Sequence, residues 1–207
     1  MVKSLGRFGI NYYGQLFDYF VGFLEHCTST IVPASQGKRS HASPSKELII
    51  LHALVLESLT LLFKHDKKGF VDNLRFEKIV KPLTSQFKLN SISDNFSQYA
   101  VDNIVPAVRE LVNLVADDYM WKTILHQVCS HLRNDSIAVR KSVALCCSQI
   151  VELLEERFVV VLNNFIPHLA SILDDEETEI SALGRSIAKQ INQHSSEDIF
   201  ALIKQSV

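Results

Sequence analysis

Turn-forming residues are scarce in this chain. Seven glycines and five prolines in 207 residues are too few to close the many tight turns that a sheet of short strands needs. No segment sustains an alternation of apolar and polar residues, so no sheet is expected. An excess of charge is also missing. The formal net charge of -2 gives no global pull toward nucleic acid or an acidic membrane, and leaves any RNA contact to a local patch or to partners. Four cysteines stand at 27, 129, 146 and 147. Adjacent Cys146 and Cys147 in a helical stretch cannot readily pair with each other, and no regular disulfide framework emerges. Reduced thiols in a cytosolic or nuclear compartment are the simplest account.

Long apolar runs are absent as well. The most apolar stretch, Leu48–Phe63, is 16 residues long and holds His52 and Glu57. It is short and polar for a membrane span and reads as a buried inner helix. Met1–Tyr13 mixes Lys3 and Arg7 with Gly and Asn, and makes a poor signal peptide. The chain has no phosphate-cradling Gly-rich loop, no G-x-S-x-G elbow and no H-E-x-x-H. Enzyme function is not expected.

What the chain does have is a repeat. Ile124–Ile150 set above Phe165–Ile191, shifted by 41 residues, brings apolar positions together. Leu125 meets Ile166, Val128 meets Leu169, Leu132 meets Leu173, Val139 meets Ile180, Cys147 meets Ala188 and Ile150 meets Ile191. Both copies break at a polar, acidic turn, Arg133–Ser136 in the first and Asp174–Glu177 in the second. Two amphipathic helices hinged at an Asp-containing turn, recurring every ~40–47 residues, make the HEAT or armadillo pattern. Such units stack into solenoids that offer long surfaces to partners.

The whole chain reads as all-α: an α-solenoid of HEAT-like helical hairpin repeats, with about nine helices. It is taken as a single HEAT-repeat domain over 1–207, with a flexible loop at about 28–45 and the clearest repeats at 118–155 and 158–194. Gly9–Cys27 has a sticky face of Tyr13, Phe17, Phe20 and Leu24. Lys46–Lys64 is apolar nearly all round, as for an inner helix covered on several sides. Asp72 or Asn73 caps a helix ending near Phe87, with Phe76, Ile79, Val80 and Leu83 inward and Pro82 bending the rod. Phe96–Ala116 and Asp118–Arg133 form the next pair. Asn134 or Asp135 caps a helix that buries Val139, Val143, Cys147, Ile150 and Leu154. Phe158–Leu173 follows, and then a helix opened by Asp175 with Ile180, Leu183, Ile187 and Ile191 inside. Ser195 or Ser196 caps a short terminal helix. The aromatic first helix looks like a face cut from a longer array, so the chain is expected to be the C-terminal part of a larger solenoid.

Candidate chemistry is sparse. His126, Cys129 and His131 resemble metal ligands, but His131 lies about 140° round the helix from His126, and no fourth ligand for a structural zinc is evident. Packing or surface roles are the better account, and neither metal nor other cofactor is expected. Cys146 carries no mark of an activated nucleophile. The paired acids Asp117–Asp118, Glu155–Glu156 and Asp174–Asp175 fall at helix ends, where capping and the helix dipole account for Asp174–Glu177. Arg75, Lys78 and Lys81 step by three along one helix and are the candidate contacts to RNA or phosphate, against the plainer reading of a solvated face. Arg140 and Lys141 sit just after a repeat turn, where a basic residue commonly meets an acidic group of the adjacent repeat.

Several segments then resemble one family. Leu61–Asp66, Phe70, Arg75–Phe76, Lys81–Leu83 and Gln86 are similar to the C-terminal region of the U3 small nucleolar RNA-associated protein 10 family of HEAT-repeat nucleolar proteins. The likeness continues through Asp118, Trp121–Lys122, His126–Val128, Arg133 and Val139–Arg140, then Phe165–Pro167, Leu169 and Asp174–Glu177. It covers roughly residues 12–192. The resemblance implies a non-catalytic scaffold of the small-subunit processome, the U3 ribonucleoprotein. Such a scaffold supports pre-18S rRNA processing and ribosome biogenesis in the nucleolus, with a link to rRNA transcription. Implied partners are processome proteins, with U3 snoRNA or pre-rRNA as further candidates, and neither membrane nor small-molecule substrate. The alternative is a HEAT-repeat adaptor in nuclear transport or vesicle trafficking.

Overall fold

The computed structural model describes residues 10–31, 44–67, 69–194, 199 and 202. Among these every regular element is helical. The segments are α1 (Ile10–Ile31), α2 (Lys46–His65), α3 (Asn73–Thr84), α4 (Phe96–Tyr99), α5 (Val105–Leu114), α6 (Asp118–Cys129), α7 (Ile137–Leu154), α8 (Val159–Leu173) and α9 (Thr178–His194). The expected all-α, HEAT-like class is what the chain adopts. The side chain of Tyr13, most of the 28–45 loop and the cap at Ser195 or Ser196 lie outside the described residues.

The chain divides into two compact units, residues 1–114 and 115–207. In the first, α1 packs along α3, and α2 packs along α5. The helix starts are set by short polar side chains. Ser45 accepts from the Leu48 N–H at 3.2 Å and Asp72 from the Arg75 N–H at 2.9 Å, which satisfies amides that have no partner inside the helix. The expected continuous helix over Phe96–Ala116 is interrupted. Between α4 and α5 the residues Ala100–Ile104 form a π-helical turn, closed by the Val105 N–H on the Ala100 carbonyl. Pro106 is the reason. It has no N–H to give the fourth residue back, and its ring crowds that carbonyl, so the turn widens to admit an extra residue.

A second difference concerns α2. Val55, Leu56, Leu59, Leu62 and Phe63 are buried, but Ile50, Leu51 and Leu54 are 60%, 47% and 51% exposed. By length and composition α2 could cross a membrane, yet its buried face packs on α5 and α1. An all-round apolar sequence records only that a helix tolerates cover, and here the cover is one-sided.

A buried polar network holds this unit in register. The Gln86 amide nitrogen faces the Pro82 carbonyl at 2.6 Å, the Leu24 carbonyl at 3.1 Å and Thr28 Oγ1 at 3.0 Å. That leaves Gln86 Oε1 as the acceptor for His52 Nε2 at 2.9 Å. His52 Nδ1 then accepts from the Tyr99 hydroxyl at 2.7 Å, so the neutral Nε2–H tautomer satisfies both bonds. Burial holds the His52 pKa below the usual 6.5, against the opposing pull of Gln86. The unfolded chain therefore binds the proton more readily, and stability rises with pH across this range. His52's contribution is complete above pH 6.5 and is lost as pH falls from there toward the folded value. Urea midpoints measured at descending pH should drop over this window, and His52→Gln should flatten part of the drop. An identical pH slope in the variant would rule out this coupling.

In the second unit α6 packs against α7 and α8 against α9, while α6 lies beside α8 and α7 beside α9. The 41-residue offset is visible directly: Val139 of α7 and Ile180 of α9 are both fully buried. The stripe Val139, Val143, Cys147, Ile150 and Leu154 is buried throughout. The helix begins one or two residues later than the expected cap at Asp135 or Asn134, with Ser136 at the cap. Asn134 instead accepts from the Ser136 N–H at 2.9 Å. On α9 the inward set is Ile180, Gly184, Ile187, Ala188 and Ile191, with Leu183 only half-buried. A Cβ on Gly184 would lie 3.0 Å from Ile172 and 3.1 Å from the Leu173 backbone nitrogen. Glycine is what lets α8 and α9 approach so closely.

Candidate functional site

The three basic candidates share α3 but not one environment. Arg75 Nη1 pairs with Asp72 at 2.9 Å and donates to the Phe70 carbonyl at 2.9 Å. Its guanidinium lies 4.4 Å from the Phe70 ring centre, and that ring meets Phe17 edge-on at 5.7 Å. Arg75 is thus partly committed to holding the α3 lead-in against α1. Lys78 reaches Asp18 of α1 at 3.3 Å. Lys81 is exposed, and no ion pair forms on it among the described residues. Exposed pairs of this kind are worth about 0–1 kcal/mol, so a phosphate could displace them.

The His126, Cys129 and His131 set does not converge. Cys129 is buried with its Sγ 3.7 Å from Cys147 Sγ, His131 is buried, and His126 is exposed at the α6 surface. Among the described residues no group of three His, Cys, Asp or Glu side chains could hold a metal ion. The hydrogen bond with Cys147, and then burial, push the Cys129 thiol well above its usual value. Burial, and then Cys147, do the same to Cys146. Burial raises Cys27 to about 11. These thiols are held protonated, the reverse of an activated nucleophile.

Asp175 stands in the turn before α9, which opens at Thr178, rather than at the helix start as expected. It accepts from Arg140 Nε at 2.8 Å and Nη2 at 3.1 Å and from the Glu177 N–H at 3.0 Å. Arg140 also donates to the Asn134 and Asp135 carbonyls and pairs with Glu176 at 3.2 Å. One residue on, Lys141 pairs with Glu179. Successive repeat turns are therefore clasped together by a forked, charge-assisted contact.

Reading the sequence missed a cleft between α6 and α8. It is lined by Tyr119, Lys122, Thr123, Leu125 and His126 of α6, with Asn164 and His168 of α8, and encloses about 280 Å³. Helical spacing could have revealed it. Tyr119, Lys122, Thr123 and His126 step i, i+3, i+4, i+7 along one stripe, and Asn164 and His168 are one turn apart. Tyr119 is 63% exposed. Burial, with the nearby charges of His126 and Arg133, lowers the His168 pKa below 6.5.

Residues 106–207 match the family described as non-SMC mitotic condensation complex subunit 1. An uncharacterized protein of Arabidopsis thaliana is 27% identical over 86% of this chain and 9% of its own length. HEAT repeat-containing protein 1 of Homo sapiens is 27% identical over 68% of this chain and 7% of its own. U3 small nucleolar RNA-associated protein 10 of Chaetomium globosum is 22% identical over 93% of this chain and 11% of its own. The chain thus spans about a tenth of the length of these relatives. Helix pairs repeating at 41 residues, clasped turn to turn, accompany that likeness, and the chain is a homologue of the proteins named U3 small nucleolar RNA-associated protein 10 and HEAT repeat-containing protein 1.

Proposed function

We propose that this protein is a non-catalytic scaffold of the small-subunit processome, acting in the nucleolus to support pre-18S rRNA processing. The observation that carries the reading is its homology to proteins named for association with the U3 small nucleolar RNA. The helix-pair fold supports it, because such folds present extended surface for binding. Its partners on this reading are processome proteins and U3 snoRNA or pre-rRNA. Arg75, Lys78 and Lys81 of α3 are the proposed phosphate contacts, with Lys81 the most available of the three.

The expected result is that a tagged chain enters the nucleolus and sediments with early small-subunit precursors. Depletion should lower 18S rRNA and leave large-subunit rRNA nearly normal. Changing Arg75, Lys78 and Lys81 to Glu should weaken the association and its salt dependence without unfolding the chain. Normal 18S production after depletion, with the tagged protein at nuclear pores or vesicles, would overturn the proposal.

A further inference from the structure

The cleft between α6 and α8 has a composition that the fold does not require. Its lining offers one ammonium, two imidazoles, an amide, a phenol and a hydroxyl, and no carboxylate. Arg133 adds a further positive charge close enough to act on His168. A lining that gathers hydrogen-bond donors and positive groups is suited to an anion, although Asp117 and Asp118 stand just before Tyr119 at the start of α6. At about 280 Å³ it falls at the lower edge of small-molecule pockets, which run to about 300–1,000 Å³. One unit of a longer chain laid across the surface fits better than a free metabolite.

Aromatic geometry narrows the class. An acidic peptide would need cations alone. Here Tyr119 is 63% exposed one helical turn before Lys122, and Asn164 lines the same cleft from α8. An open aromatic face beside a cation and an amide is the equipment for an unstacked base and its phosphate. The position of Thr123 repeats at Asn164, and that of Gln127 at His168, under the same 41-residue offset. The two polar stripes therefore occupy equivalent outer positions of successive repeats, side by side.

We propose that this cleft binds single-stranded RNA, with Lys122 taking the phosphate, Tyr119 stacking on a base and the Asn164 amide meeting its edge. The site is separate from α3 and does not depend on processome membership.

The test is fluorescence anisotropy on the purified full chain with a short labelled oligouridylate at low salt. Tyr119→Ala should weaken binding about five-fold or more, since a stacked base is worth at least ~1 kcal/mol, and Tyr119→Phe should restore it. Lys122→Glu should weaken binding and reduce the slope of affinity against salt by about one charge. Both positions are exposed, and circular dichroism checks that the fold survives. Absence of RNA binding, or binding indifferent to Tyr119→Ala and Lys122→Glu, would overturn the proposal. Equal affinity for a polyglutamate peptide, unaffected by Tyr119→Ala, would overturn it in favour of an acidic-peptide site. Any of these failures would leave the scaffold reading intact, because that rests on sedimentation and 18S levels.

Discussion

Val139→Asp is expected to destabilise the second unit by several kcal/mol, because it places a carboxylate where the native side chain has no exposed surface. An isolated buried charge has no compensating partner there and must either stay unsolvated or take up a proton. Domains are stable by only about 5–15 kcal/mol in total, so the loss should appear as a large drop in Tm. Ile180→Asp should cost a similar amount, since Ile180 fills the equivalent position in α9. Ile137→Asp, on the same helix as Val139 but 47% exposed, should stay within about 0.5 kcal/mol of the wild type. A thermal melt unchanged by Val139→Asp, or one lowered equally by Ile137→Asp, would sink the repeat assignment.

Arg140→Ala should be nearly as severe, by a different route. The Arg140 and Asp175 side chains are only 10% and 8% exposed, so removing the guanidinium strands a buried carboxylate as well as the Asn134 and Asp135 carbonyls. Breaking one side of such a pair costs about 3–5 kcal/mol. Arg140→Lys should not restore it, because an ammonium cannot reproduce the forked contact. Replacing both partners together, Arg140→Met with Asp175→Leu, should recover much of the loss, since apolar pairs often match buried ion pairs in stability. Urea unfolding of the wild type, Arg140→Met, Asp175→Leu and the double variant gives the coupling directly, and simple additivity of the two single losses would contradict it. Acid provides a second check. Burial raises the Asp175 pKa, but the Arg140 hydrogen bonds, the Glu177 amide and the Arg140 charge together bring it below 3.8. A carboxyl whose pKa falls on folding contributes its stability above the unfolded value and loses it as pH drops through the folded one. The clasp should therefore hold at pH 5 and fail only in strong acid.

Much of this was legible in the residue order. Stripes such as Val139, Val143, Cys147 and Ile150 follow the helical period closely, and burial follows the stripe. The Arg140 contact was legible because Arg140 sits just after one repeat turn, where a basic residue commonly meets an acidic group of the adjacent repeat. The His52–Gln86–Tyr99 network was not, since its members lie 34 and 47 positions apart and nothing local marks them as partners. His52 simply looked like a polar interruption in an apolar helix. The exposed Ile50, Leu51 and Leu54 show the opposite failure: apolarity was read as cover, while cover is a property of neighbours. The cleft escaped notice because its residues are ordinary one by one. Only the packing of α6 beside α8 makes them a set.

The π turn at Ala100–Ile104 sets a rotational phase. An additional residue in one turn rotates everything N-terminal to it by about 100° relative to an uninterrupted α-helix. Tyr99 stands just before that turn and presents its hydroxyl to His52, while Val108, Leu111 and Val112 just after it keep their buried alignment. Without the phase slip, one rod could not aim both sets correctly. Pro106 therefore acts as a gear tooth in this helix: by forbidding one backbone bond, it indexes an aromatic hydroxyl onto a histidine in another helix.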